Sequence, residues 1–179
     1  ERVEREHDPR ERSRVLKDIA SLYENELDDP QKAFFVLSRA LGELPGDDAL
    51  ARDVERIADR TGLWEDLMRT LAEFAARAQE GPEEMHLLVR MGRWYGEKIG
   101  KNDAALPCLQ RALRIDPTSD APVDAMASYY RRTNMHAELA ALLMRRAESS
   151  TNPARSRESL VEAAQMYEER LNESGRAQE

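Results

Sequence analysis

The sequence has few residues that could cross-link a small fold or interrupt helices. Cys108 is its single cysteine, so no disulfide can form within the chain. We expect Cys108 to be a small apolar residue on a buried helix face. Glycine and proline number eight each, and aromatic residues make up 6% of the 179 residues. The chain must therefore fold without covalent links and with few turn-forming residues.

Long apolar runs and an excess of positive charge are also missing. No stretch of about 18 apolar residues occurs, which predicts no membrane-spanning helix and no direct membrane contact. No signal peptide is visible. The net charge is −8 and the pI about 5.1, whereas phosphate binding needs a basic surface. We therefore expect no nucleic-acid partner.

The residues that are abundant favour helices. Charged residues account for 35% of the chain, and alanine, leucine, glutamate and arginine dominate its usage. These are good helix formers, whereas the β-branched residues typical of strands are scarce. We predict an all-α protein.

The apolar residues repeat with a period of 72 residues. Leu16, Ala20 and Tyr23 align with Leu88, Gly92 and Tyr95, and a second shift reaches Leu160, Ala164 and Tyr167. Residues 62–75 align in the same way with residues 134–147. Each 72-residue block divides into two units of 35 and 37 residues. The chain is therefore predicted to be a repeat array.

Each unit has the pattern of two helices joined by a short turn. Apolar residues recur at spacings of three and four, as expected for one buried face on each helix. A capping residue precedes proline at Asp8, Gly81 and Asn152, which predicts a helix start after each. Gly62 and Asn134 occupy one column after a helix, where a left-handed residue would end it.

Two units have small and large apolar residues at the spacings of a known repeat, followed by proline. These columns are Ala20, Tyr23, Ala33, Leu37, Ala40 and Pro45, and again Gly92, Tyr95, Ala105, Leu109, Ala112 and Pro117. In this pattern the chain resembles the tetratricopeptide repeat. The alternate units depart from that pattern and are interpreted as degenerate repeats. The resemblance implies a right-handed α-solenoid of antiparallel helix pairs, with about four and a half repeats in a single domain over residues 1–179.

The predicted boundaries cover nearly the whole chain. Repeats occupy residues 13–47, 48–84, 85–119, 120–156 and, in part, 157–179, and residues 1–12 end a preceding repeat. The sequence begins ERVEREHDP without methionine and inside a unit. We therefore expect both ends to be cut from a longer array, with the true N-terminus elsewhere.

Residue patterns that carry chemistry are scarce. His7, His86 and His136 fall in different structural columns, and none has a second ligand at a metal-binding spacing. There is no glycine-rich phosphate loop, and Cys108 has no evident base partner. We expect neither catalytic residues nor a bound cofactor or metal, and hence no enzymatic activity. The aromatic residues expected to pack between helices are Trp64, Trp94, Tyr95, Tyr129 and Tyr130. Trp94 has an alternative, because it adjoins Tyr95 and two consecutive helical residues cannot face the same way, so it could be partly exposed.

The resemblance implies that the first helix of each repeat lines a concave groove that binds peptides. The residues in those columns are Lys17, Ser21, Glu24, Arg52, Arg56, Arg60, Val89, Arg93, Glu97, Asp124, Ser128, Arg131, Arg132, Val161, Gln165, Glu168 and Glu169. The basic members form the candidate peptide-binding site: Lys17, Arg52, Arg56, Arg60, Arg93, Arg131 and Arg132.

The stripe of Arg52, Arg56 and Arg60 has two interpretations. Its members are four residues apart on one helix face, and their guanidinium forks could bind carboxylates of an acidic protein segment. They could equally pair in solvent with Asp53, Glu55 and Asp59 of the same helix. A clamp for a chaperone's terminal carboxylate is disfavoured, because the required asparagine and second lysine columns hold Ser21 and Val89.

These patterns predict a non-catalytic protein-protein interaction module within a larger scaffold or adaptor protein. Its partner is another protein, with an acidic segment as the favoured ligand, and its location is cytoplasmic. The alternative is a structural spacer or homo-oligomerising array that associates through its end faces, including Val3, Leu160, Ala164 and Tyr167. RNA recognition through the arginines is a third class, disfavoured by the acidic total. Arginine outnumbers lysine 23 to 4, which indicates a GC-rich bacterial coding sequence.

Overall fold

The computed structural model describes residues 8–150 and 152–176, and all regular secondary structure within them is helical. The prediction of an all-α protein is confirmed. The nine helices of this part are α1 (Pro9–Asn25), α2 (Pro30–Glu43), α3 (Asp48–Thr61), α4 (Trp64–Arg77), α5 (Pro82–Trp94), α6 (Asn102–Ile115), α7 (Asp120–Arg132), α8 (His136–Ser149) and α9 (Pro153–Arg176).

Each helix packs against its neighbour in the chain. Further contacts join α2 to α4 and α5 to α7, so helices two apart in sequence also meet. Successive packing of this kind is typical of a helical-repeat arrangement, in which each unit buries its apolar face on the next.

Helix starts follow the predicted capping chemistry. The Asp8 carboxylate accepts a hydrogen bond from the Arg10 amide at 2.9 Å, and Asn152 Oδ1 accepts one from the Ala154 amide at 3.0 Å. Asp29 and Asp47 cap α2 and α3 in the same way. These acceptors satisfy backbone donors that the first turn of a helix leaves without partners.

The 72-residue period is repeated in the backbone conformation. Gly62 and Asn134, which are 72 residues apart, have φ angles of 74° and 58°. Asp28 and Gly100 form a second such pair, with φ angles of 48° and 77°. Left-handed residues at these places end helices, as predicted for Gly62 and Asn134.

The end of α5 widens into a π-helical turn at Tyr95–Ile99, closed by Gly100. The Lys101 amide donates to the Tyr95 carbonyl at 2.8 Å, and 72 residues earlier the Asp29 amide donates to the Tyr23 carbonyl at 2.8 Å. Both bonds join residues six apart and close around a left-handed residue, here Asp28 and Gly100, in the manner of the Schellman motif that ends many helices.

Buried side chains form two clusters that meet at α5. Leu87, Met91 and Trp94 join the cluster built from α1 to α4, while Met85 and Leu88 join the one built from α6 to α9. Helix α5 is therefore buried on two faces, not on the single stripe that the periodicity predicts.

The two ends of the described part differ from the simplest repeat scheme. Residues 9–12 form the first turn of α1, so the boundary placed at residue 13 falls inside a helix. Helix α9 continues without a break to Arg176, whereas 72 residues earlier the turn at Gly100 separates α5 from α6. Residues 1–7, with His7 and Val3, lie outside the described residues.

Candidate functional site

Charged side chains join the first helices of successive pairs, α1, α3, α5, α7 and α9, side by side. We call these contacts the charge ladder. Its basic members are Lys17, Arg56, Arg60, Arg90, Lys98, Arg131 and Arg132. The contacts decide which predicted groove residues could bind a ligand, because a guanidinium already held by a carboxylate is less available to another.

Between α1 and α3, the acceptor is Glu24. Arg56 donates to both of its carboxylate oxygens, at 2.5 and 2.8 Å, and Arg60 approaches one of them at 3.4 Å. The Glu24 side chain is only 14% exposed, and the hydrogen bonds from Arg56 hold its pKa below the usual value of 4.5. Lys17 pairs with Asp47, just before α3, at 2.8 Å. Three predicted ligand-binding residues are thus occupied within the protein.

Between α3 and α5, the charges are reversed. Lys98 contacts Glu55 at 2.7 Å and Asp59 at 2.9 Å. Arg90 donates to the Asp48 carboxylate at 2.7 Å and to the Pro45 carbonyl at 2.8 Å. One interpretation of the sequence paired Asp53, Glu55 and Asp59 with the arginines of their own helix. Glu55 and Asp59 instead pair with Lys98.

The last part of the ladder uses Arg131 and Arg132 of α7. Arg131 makes two hydrogen bonds to Glu162 of α9, at 2.8 and 2.9 Å. Arg132 donates to the Gly96 carbonyl at 2.6 Å and to Asn102 Oδ1 at 2.7 Å. Gly96 stands 72 residues after Glu24, and a Cβ there would lie 2.0 Å from the Arg132 guanidinium. A backbone carbonyl thus replaces the carboxylate of the first block.

Two of the seven predicted groove cations are left without such contacts. The guanidinium groups of Arg52 of α3 and Arg93 of α5 are exposed and make no hydrogen bond or ion pair within the described part of the chain, although Arg52 lies near enough to Asp48 to add to the effect of Arg90 in lowering the pKa of that carboxylate. Both line one cavity of about 380 Å³ between α3 and α5. The structure therefore divides the predicted site into five residues that hold helices together and two that face an open cavity.

The walls of this groove cavity are mixed in charge. Its lining residues are Asp48, Ala51, Arg52, Glu55, His86, Val89, Arg90, Arg93, Trp94, Glu97 and Ala121. Asp48 and Glu55 are engaged by Arg90 and Lys98. The hydrogen bond from Arg90 lowers the pKa of Asp48, so this carboxylate stays ionised. The cavity can therefore offer two guanidinium groups and a histidine beside Glu97.

Sequence reasoning missed His86 and Arg90 as members of this cavity. Their columns precede the predicted groove columns Val89 and Arg93 by three residues, so they lie on nearly the same helix face. Including the residues one helical turn before each predicted groove column would have identified His86 and Arg90.

Trp94, the aromatic residue for which the sequence left partial exposure open, is buried. Trp94 is 5% exposed, and its ring meets that of Trp64 edge to face at 5.7 Å between centroids. Tyr95 packs against both core clusters. Trp94 therefore packs in the core as the other aromatic residues were expected to, and the alternative of partial exposure is wrong, because α5 has neighbours on two sides and adjacent aromatic residues can both be covered.

The remaining polar candidates do not assemble. Cys108 is half-buried and burial raises the pKa of its thiol. His86 lines the groove cavity and His136 is exposed at the start of α8. Among residues 8–150 and 152–176, no three histidine, cysteine or acidic side chains are grouped as they would be around a metal. Nor does any helix of this part combine the length and apolar character needed to cross a bilayer.

No known protein family matches the chain. No curated protein matches it either.

Proposed function

We propose that the chain is a non-catalytic protein-interaction module, a right-handed solenoid similar to tetratricopeptide repeats and part of a larger scaffold or adaptor. The first helices line its ligand-binding groove. The observation that carries this proposal is the groove cavity between α3 and α5, where Arg52 and Arg93 are exposed and unpaired within the described residues.

The ligand is a protein segment that brings one or two carboxylates into this cavity. A guanidinium binds a carboxylate through two parallel hydrogen bonds, and two unpaired guanidinium groups from adjacent helices can hold an acidic side chain between them. Glu97 and the other carboxylates on the walls repel a long acidic run. A short segment with an isolated acidic residue therefore fits better than a polyacidic tail.

The neighbouring contacts support a preformed site. Arg90 fixes the start of α3 through Asp48 and Pro45, and Lys98 ties its last turns to the end of α5. The backbone that carries Arg52 and Arg93 is thereby held on both sides. Preorganisation of this kind reduces the ordering cost of binding a flexible segment.

The test selects peptides from a random display library on the wild-type protein and measures their affinity by fluorescence anisotropy. The double variant Arg52→Gln/Arg93→Gln should weaken the selected peptides by about tenfold or more for each arginine, as expected for charged hydrogen bonds. A matched control, Arg69→Gln/Arg77→Gln, removes the same charge from exposed positions of α4. Equal affinity in both variants would refute the groove site.

A second candidate function, end-to-end association, is favoured by where apolar side chains are exposed. In the described part, the large ones all lie in the first two helices with their connecting turn or in the last two helices: Leu22, Leu27, Phe35, Met144, Leu160, Val161 and Tyr167. The middle helices contribute none of them. Exposed apolar surface at the ends of an array is typical of surface that stacks on another unit.

Sedimentation at several concentrations tests this alternative. If the array self-associates through α9, wild type should form larger species with rising concentration, and Leu160→Glu/Val161→Glu should remain monomeric. A wild-type protein that stays monomeric at every concentration would exclude this function while leaving the peptide-binding proposal intact.

A further inference from the structure

Two corresponding corners of the array, 72 residues apart, are filled in different ways. The first corner is built from Leu41, Gly42, Pro45, Thr70, Glu73 and Phe74. The second corner is built from the aligned residues Leu113, Arg114, Pro117, Leu142, Arg145 and Arg146. The leucine and proline are retained, whereas the other four positions change in character.

The first corner is closed by an aromatic ring. A Cβ built on Gly42 would lie 2.3 to 2.5 Å from three atoms of the Phe74 ring, so this ring rests directly on the backbone of α2. Phe74 also packs against the first core cluster. Glycine and phenylalanine are thus complementary here, one providing the space that the other fills.

The second corner is open. Arg146 stands where Phe74 stands in the first corner, and it turns to Asp124 at 2.7 Å and to Asp120 at 3.2 Å. A cavity of about 380 Å³ lies beside it. Leu113, Val123 and Leu142 provide apolar walls, with leucine at the position that Thr70 holds in the first corner. The second corner therefore has apolar walls, but no side chain of the protein fills the space that the Phe74 ring fills in the first corner.

Two further arginines line this cavity. The guanidinium groups of Arg114 and Arg145 are exposed and have no hydrogen bond or ion pair within the described part of the chain. Asp120, the one acidic residue among those that line this cavity, is engaged by Arg146 and by Arg155. In a protein of net charge −8, an apolar cavity bordered by two unpaired guanidinium groups has a local charge opposite to that of the molecule.

We propose that the second corner binds a small amphipathic carboxylate, with its apolar group, about the size of a phenyl ring, against Leu113, Val123 and Leu142. Arg114 and Arg145 hold its carboxylate through charge-assisted hydrogen bonds. The site shares no lining residue with the groove cavity, so it does not depend on the function proposed above.

Titration calorimetry with phenylpropionate as the probe tests this site. Ligands of this size reach dissociation constants of roughly 0.1 to 1 mM when both the ring and the anion are bound. Phenylpropanol and phenylpropylamine, which keep the ring but replace the anion with a neutral group or a cation, should bind at least about tenfold more weakly.

Two variants remove, respectively, the whole site and its charges alone. Arg114→Gly/Arg146→Phe installs the residues of the first corner, which should fill the cavity and abolish binding while circular dichroism shows an intact helical fold. Arg114→Gln/Arg145→Gln leaves the cavity open and should weaken phenylpropionate at least about tenfold, bringing its affinity close to that of phenylpropanol. Arg69→Gln/Arg77→Gln again serves as the charge-matched control.

Three outcomes would overturn the proposal. The first is no heat of binding from wild type with phenylpropionate. The second is equal affinity for the carboxylate and the alcohol, which would show that the arginines are not involved. The third is unchanged binding in the folded Arg114→Gly/Arg146→Phe variant, which would place the probe elsewhere.

Discussion

Replacing Gly42 with alanine should destabilise the protein, although the same change in a helix normally stabilises it. Alanine is favoured over glycine in helices by about 0.5 to 1 kcal/mol. At Gly42 the added methyl group would lie 2.3 Å from Cδ2 of Phe74, whereas carbon atoms in contact are normally about 3.5 to 4 Å apart. The ring would have to move by more than an ångström.

The magnitude follows from these two opposing effects. Overpacking a filled site costs about 1 to 3 kcal/mol, from which the helix-propensity gain is subtracted. We expect a net loss of about 0 to 2.5 kcal/mol, with a central value of about 1 kcal/mol. For a chain of this size, a loss of about 1 kcal/mol lowers the melting temperature by about 2 to 4 °C. Thermal unfolding followed by far-ultraviolet circular dichroism measures the shift.

Two further variants show whether the ring is responsible. In the Phe74→Ala background the clash is absent, so adding Gly42→Ala should be neutral or stabilising, which is a non-additive result. Arg114→Ala, at the position aligned with Gly42, has no ring opposite it and should change stability by less than about 0.5 kcal/mol. A Gly42→Ala protein more stable than wild type would refute the contact and weaken the comparison of the two corners.

Three other predictions follow from the polar contacts and the backbone. Because hydrogen bonds from Arg56 lower the pKa of folded Glu24, their stabilisation is complete above the unfolded value of 4.5 and is lost as pH falls below it. Glu24→Gln should therefore reduce the difference in melting temperature between neutral and acidic pH. Cys108 should react more slowly with iodoacetamide in the folded protein than in urea, because burial raises the pKa of its thiol. Asp28 and Gly100 both have left-handed backbone, which glycine adopts more easily than other residues. Asp28→Gly should therefore stabilise the protein and Gly100→Ala destabilise it, each by about 1 kcal/mol or less, with the melting temperature rising or falling accordingly.

Helix positions and ends could be predicted because they depend on local sequence. Proline after a capping residue specifies where α1 and α9 begin, and Gly62 and Asn134 specify where α3 and α7 end. These signals act within a few residues of the backbone they shape. The 72-residue period then predicts where the equivalent turns occur, and this prediction does not depend on how the helices pack.

Side-chain partners could not be predicted because they depend on how helices lie against each other. Arg56 has acidic residues within one turn of its own helix, yet it pairs with Glu24 on the preceding first helix. Choosing between these partners requires the distance between α1 and α3, which no single-helix pattern contains. For the same reason the periodicity could not separate Arg52 and Arg93, which face a cavity, from the arginines that join helices.

Tyr95 and Cys108 are the partly buried apolar residues that pack against both core clusters, and they lie on the two helices that meet beside the π-helical turn. Each cluster therefore belongs to one half of the chain, and α5 is the wall they share. Because neither half can unfold without exposing apolar side chains of α5, we expect the two halves to unfold together. Arg52 stands on one half and Arg93 on the shared helix, so α5 also fixes the spacing between the two guanidinium groups, and a ligand that bridges them would stabilise both halves at once.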